Sequence, residues 1–146
     1  MKPQWQTLTT LLLASIALAG CSQGVTTMTD RSAEPCGDKP NCVSTQDTRE
    51  KFSLAPFILT KEANIDAIER AALQLPGAKT AVSDEGYLRI ECTSKILRFV
   101  DDLELKMTDG ALMVRSESRV GYSDFGVNRK RAEQLRDILK TEGLIE

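Results

Sequence analysis

LRFVDDLELKMTDGALMVRSESR, residues 97–119, is the stretch on which the fold turns. Two alternating segments, 97–108 and 111–119, flank Asp109-Gly110, and an Asp-Gly pair in that setting marks a two-residue hairpin loop. Such a loop fixes the register. Met107 faces Leu112, Leu105 faces Val114 and Leu103 faces Ser116, a continuous apolar face that a one-residue slip would turn to solvent. On the other face Glu104 sits opposite Arg115, and Asp102 has Arg115 and Arg119 as diagonal neighbours, pairs worth roughly 0.2–1 kcal/mol each. Asp101 is the odd residue: it falls on the apolar face beside Ser116 and Ser118, where a carboxylate needs partners. Arg98, Arg119, Tyr122 or the start of the next helix are available to it. A β-bulge at Asp101-Asp102 would instead turn one Asp outward.

Working outward, strands are expected over 78–83 and 87–93 around the turn residues Asp84-Glu85-Gly86. A helix is expected over 61–75, capped by Thr60, with Ile65, Ile68, Ala72 and Leu75 at helical spacing and Pro76-Gly77 as its stop. Before it, residues 52–59 are apolar but broken by Pro56, as in an edge strand or extended arm. The chain closes with a helix over about 124–141, its stripe made by Phe125, Ala132, Leu135 and Leu139. The expected fold is α+β: an antiparallel four-stranded meander covered on one face by two helices in a two-layer domain.

Upstream, Lys2, an uncharged apolar run over 8–18, and the small Ala19 and Gly20 before Cys21 follow the order of an export signal. The run is too short for a span, which needs about 20 residues. Leu18-Ala19-Gly20-Cys21 resembles the lipobox of bacterial lipoproteins. The resemblance implies thioether lipidation of Cys21, cleavage before it, and acylation of its new amino group. Several acyl chains hold a protein on a bilayer where one holds marginally. The rival is a plain secretory signal with a Cys after the cut. Ser22, where an Asp would resemble an inner-membrane retention signal, points to the outer membrane facing the periplasm in a Gram-negative cell. The expected organisation is a signal peptide at 1–20, a lipidated flexible tether at 21–34, and one domain at 35–146.

The chain has 19 basic and 21 acidic residues; loss of Lys2 with the signal leaves 18 against 21, a formal charge of −3. That is no footprint for nucleic acid and no polybasic membrane patch. Histidine is absent, which removes Ser-His-Asp and Cys-His mechanisms and the commonest metal ligand. Any catalysis would run on carboxylates, Lys, Tyr or Cys. No cofactor or metal is implied.

Besides Cys21, three cysteines remain in a compartment where disulfides persist. A local Cys36–Cys42 bond would close a turn-rich loop and contribute about 2 kcal/mol, leaving Cys92, which alternates with Leu88 and Ile90, as a small core hydrophobe. Staples from Cys92 to Cys42 or Cys36 are the alternatives.

Gly121-Tyr122-Ser123-Asp124-Phe125-Gly126 reads either as a loop whose Ser123 or Asp124 caps the last helix or as a binding rim. That rim would consist of Tyr122, the helix N-terminal amides and nearby arginines, and would favour an anion. Arg129, Lys130 and Arg131 lie where the helix dipole does not favour cations. They form a solvated face, pair with Glu133 and Asp137, or hold acidic groups. Asp101 with Asp102 or Asp124 invites an acid–base or divalent-cation reading, though neighbours on one strand point to opposite faces.

Three segments carry a resemblance: Cys36-x-x-x-Pro40-Asn41-Cys42-Val43-Ser44, Arg98-Phe99-Val100-Asp101-Asp102-Leu103-Glu104, and the run from Arg119 through Gly121, Tyr122, Asp124 and Asn128 to Arg131. Together they resemble the uncharacterised bacterial family of domain of unknown function DUF1499, over nearly all of the chain after the tether. The resemblance implies an envelope lipoprotein and transfers no activity. The candidate binding residues are Arg98, Asp101, Asp102, Arg115, Arg119, Tyr122, Asp124 and Asn128. The expected function is a membrane-anchored binding or structural module whose partner is an envelope protein or a small anionic ligand. The alternative is a carboxylate-based, metal-dependent or metal-free periplasmic enzyme. If Arg98, Asp101, Arg115 and Arg119 satisfy one another with no cavity between them, the role is structural; a roomy cleft lined by them favours a ligand.

Overall fold

The structure, a computed structural model, describes residues 29–146; the expected signal peptide, Cys21 and most of the tether lie outside them. In chain order the elements are β1 (Cys42–Ser44), β2 (Phe57–Ile58), α1 (Ile65–Ala72), β3 (Ala78–Asp84), β4 (Tyr87–Thr93), β5 (Val100–Thr108), β6 (Ala111–Ser118) and α2 (Val127–Thr141). The sheet is antiparallel with six strands, ordered β1-β6-β5-β4-β3, and β2 also pairs with β6.

The β5–β6 hairpin has the register read from Asp109-Gly110: Met107 pairs with Leu112, Leu105 with Val114, Leu103 with Ser116 and Glu104 with Arg115. No bulge interrupts Asp101-Asp102; the irregularity lies instead between Thr80 and Val82, opposite β4. The expectation of four strands is corrected to six. Cys42 pairs with Glu117 and Phe57 with Leu112, so two short strands lie along β6. They cover an edge that would otherwise offer its open hydrogen bonds to other chains.

One face of the sheet carries Leu88, Ile90, Leu103, Leu105, Leu112 and Val114, all buried with Ala67, Ile68 and Ala71 of α1 and Ala132, Leu135 and Leu139 of α2. Helix α1 starts later than expected. Asn64 caps it, accepting from Ala67 N at 3.0 Å, while the Thr60 hydroxyl donates to Gly143 O at 2.7 Å. Gly77 (φ +69°) ends the connection to β3, and a Cβ there would stand 2.1 Å from Thr93 O, so only glycine fits. Helix α2 begins at Val127, with Phe125 before it and outside the apolar stripe.

A disulfide joins Cys36 to Cys42, and with Phe52 it forms a second small core. Asp47 locks this loop, accepting from Cys36 N at 3.0 Å and from Arg49 Nη2 at 2.7 Å. The Arg49 guanidinium holds its carboxyl well below the usual carboxylate range. Cys92 is free and buried; burial pushes its thiol up and leaves it inert. The fold also claims the last residues of the expected tether. Ser32 is fully buried, Asp30 accepts from Lys106 Nζ at 2.6 Å, and Arg31 pairs with Glu117.

Candidate functional site

The candidate residues divide between the two faces of the sheet, because Asp101 and Asp102 are strand neighbours. On the face away from the helices, Asp102 accepts from Arg119 Nε and Nη2, both at 2.7 Å. Arg119 Nη2 also donates to Glu91 at 2.6 Å. Arg115 donates to Glu117 at 2.8 Å and stands 3.9 Å from its cross-strand partner Glu104. The Tyr87 hydroxyl donates to Glu104 at 3.2 Å. Glu104 and Arg115 are each only 2% exposed, so the layer is enclosed at its centre, while Asp102, Glu117 and Arg119 border a hollow of about 350 Å³ with Arg31 and Lys39. Burial raises the Glu104 carboxyl above its ordinary range against the pull of Arg115. Burial also pushes Glu117 up, but its bonds to Arg115 and the charge of Arg31 outweigh that, leaving it lowered. Asp102 is thus held by Arg119 and by Arg89 at 3.4 Å, and not by Arg115.

On the helix face, Asp101 accepts from Arg131 Nη2 at 2.6 Å. Of the expected partners, the start of the last helix supplies this one: Arg119 lies on the other face, Arg98 and Tyr122 are exposed, and Arg131 holds an acidic group rather than pairing with Glu133 or Asp137. Arg131 Nη1 donates to Asn128 Oδ1 at 2.7 Å and to Ser116 Oγ at 3.1 Å. Asn128, fully buried, is the hub. Its Oδ1 accepts from Ser116 Oγ at 2.6 Å, and its Nδ2 donates to Asp124 Oδ2 (2.7 Å), Ser118 Oγ (2.9 Å) and Asn41 O (3.1 Å). Asp124 does the capping, accepting from Gly126 N and Asn128 N at 2.9 Å each. Its carboxylate therefore occupies the α2 amides that the rim reading left for an anion. Asn41 Nδ2 donates to Ser118 O at 3.3 Å, and Asp124 N donates to Pro40 O at 3.2 Å. The three segments that carried the family resemblance thus meet at one joint.

Beside this joint a cleft of about 520 Å³ opens between the β4–β5 loop and the first turns of α2. Lys95, Arg98, Lys130 and Arg131 line it, with Asp101 as its carboxylate, already engaged by Arg131. Lys95, Arg98 and Lys130 form no ion pair among the described residues. Of the candidates, then, Arg98 and Asp101 border this cleft, Asp102, Arg115 and Arg119 belong to the ion-paired layer on the other face, where Asp102 and Arg119 edge the second hollow, and Asp124 and Asn128 build the joint. Tyr122 stands exposed on the neighbouring loop. Asp101, Asp102, Glu104 and Asp124 do not converge on one pocket. Among the described residues no group of three or more acidic or cysteine side chains is placed to hold a metal ion.

Sequence reasoning missed Lys95. Lys130 and Arg131 were read as a solvated face, as partners of Glu133 and Asp137, or as holding acidic groups, and the last holds for Arg131, which also shares a helix face with Asn128 three positions before it. Asn41, quoted only within a motif, accepts from Asn128 through its backbone carbonyl and donates to Ser118 O through its side chain.

An α+β domain with a buried polar joint and a cleft lined by basic side chains beside it is the class these observations define. A family model described as a protein of unknown function, DUF1499, matches residues 32–139, and the chain belongs to that family. No curated protein and no solved structure matches the chain.

Proposed function

We propose that this protein is a lipid-anchored envelope lipoprotein whose domain is a binding module for an anionic group taken in the cleft beside α2. One observation carries the binding half. Three cations that form no ion pair among the described residues, Lys95, Arg98 and Lys130, surround an open cleft, while Arg89, Arg115, Arg119 and Arg131 stand within ion-pair distance of carboxylates. Positive side chains gathered at a concave surface attract anions, and an arginine presents a planar donor fork to phosphate or carboxylate oxygens. The anchoring half rests on Leu18-Ala19-Gly20-Cys21 alone, and the outer membrane on Ser22. No helix among the described residues is long and apolar enough to cross a membrane.

Calorimetric titration of the purified protein with inorganic phosphate tests the cleft. The protein binds it, and Arg98→Ala weakens binding while Arg119→Ala, in the outer layer, does not. Equal effects of the two substitutions would remove the proposal. Palmitate labelling in cells, lost on Cys21→Ser, tests the anchor.

A further inference from the structure

Seven of the nine exposed large apolar side chains among the described residues sit at one end of the molecule. Ile96, Leu97 and Phe99 are on the β4–β5 loop; Val120, Tyr122 and Phe125 are on the β6–α2 loop, with Val127 at the start of α2. Ile96 is 86% and Phe125 95% exposed. The loops are neighbours: Arg119 N donates to Val100 O at 3.3 Å, and Arg98 and Val127 line the same cleft. Among the described residues, the two non-glycine residues with positive φ, Arg98 (56°) and Phe125 (53°), are also here, one on each loop. Such backbone is uncommon for bulky residues and costs on the order of 1–3 kcal/mol. The sequence shows no burial-driven reason for it at a side chain as exposed as Phe125.

We propose that this end docks on an anionic bilayer surface, the apolar loop residues entering the headgroup region while Lys95, Arg98 and Lys130 take lipid phosphates. The inference deepens the binding role proposed above and rests on it, naming the headgroup of a lipid as the anion. Charge complementarity chooses the occupant. The chain as a whole is acidic, so its overall charge would repel an anionic leaflet; the β4–β5 loop, 94–99, carries Lys95 and Arg98 and no acidic residue, and Lys130 lines the same cleft. Aromatic side chains and basic residues together are the signature of an interfacial seat. Side chains projecting from two separate loops suit a deformable bilayer better than a packed protein interface, whose core matches the density of protein interiors.

The test uses the full chain with Trp5→Phe and Phe125→Trp, incorporated into vesicles of phosphatidylcholine with or without phosphatidylglycerol, tails brominated to quench indole emission. Tyr122→Trp is a second reporter. Ile58→Trp, on the short strand beside the Asp109-Gly110 turn, is the control for mere proximity. The expected result is strong quenching at positions 122 and 125 only with phosphatidylglycerol, and little at 58. Lys95→Ser, Arg98→Ser and Lys130→Ser together should reduce the docked-to-free ratio about a hundredfold, at about 1 kcal/mol per cation. Water-like emission on vesicles that carry the protein overturns the inference and leaves the anchor intact. Phosphate binding in solution with no quenching overturns it while the cleft proposal stands. Equal quenching at 58 and 125 also overturns it. Quenching on phosphatidylglycerol vesicles with no palmitate label supports docking and removes the anchor.

Discussion

Replacing Asn128 with Ala removes the amide on which β1, β6 and α2 converge. The amide takes part in five hydrogen bonds with side chains or backbone of Asn41, Ser116, Ser118, Asp124 and Arg131, all inside a fully buried site. A net hydrogen bond contributes about 0.5–1.5 kcal/mol, and one to a charged group about 1.5–3. Asp124 keeps its backbone donors and Arg131 keeps Asp101, so those two losses fall at the low end. Water entering the vacated space recovers part of the remainder. The expected loss is about 3–4 kcal/mol. It is read as a lower midpoint at unchanged slope in urea unfolding followed by far-ultraviolet circular dichroism, with the disulfide intact. Asn128→Asp keeps the shape but sets a carboxylate oxygen against Asp124 Oδ2, 2.7 Å away. Its folded pKa is raised by that neighbour, so its deficit is largest at neutral pH and shrinks as the pH falls and the new carboxyl takes a proton. A loss below about 1 kcal/mol for Asn128→Ala, or no pH dependence for Asn128→Asp, would refute the assignment of Asn128 as the hub of the joint.

Other outcomes follow from the same geometry. Arg131→Leu strands the buried Asp101 carboxylate and should cost about 3–5 kcal/mol; adding Asp101→Ser should recover part of it, as a double-mutant cycle would show. Glu104 is raised by burial, so its ionisation opposes folding as the pH rises through its folded pKa, and Glu104→Gln should gain stability relative to wild type toward neutral pH. Glu117 has the opposite sign: being lowered, it contributes stability above its unfolded pKa, lost as the pH falls through the folded one, and Glu117→Gln should flatten the acid limb of the profile. Gly77→Ala forces a Cβ against Thr93 O at a positive φ and should lower stability by at least about 2 kcal/mol in thermal unfolding.

The central hairpin was legible because a two-residue Asp-Gly loop leaves only one register that keeps Leu103, Leu105, Leu112 and Val114 on one face. β1 was not. Three residues that start at the closing cysteine of a turn-rich disulfide loop carry no periodicity, and their strand state comes from pairing with β6. The start of α1 was misplaced because Thr60 and Asn64 are both good caps, and the choice was made by the Thr60 bond to Gly143 near the far end of the chain. Asp101 announced itself as a carboxylate in need of partners. Its partner Arg131 is thirty positions away, on a helix whose approach the local pattern does not fix. The cleft was least legible, since Lys95 and Lys130 look like ordinary surface lysines until the fold brings their loop and helix together.

The most direct test of the cationic cleft as a binding site is the amide spectrum of the isotope-labelled protein titrated with inorganic phosphate. The account predicts saturable shifts concentrated at residues 94–99 and 127–131, with Arg89, Arg115 and Arg119 unmoved. Shifts centred on those three arginines, or none that saturate, would contradict it.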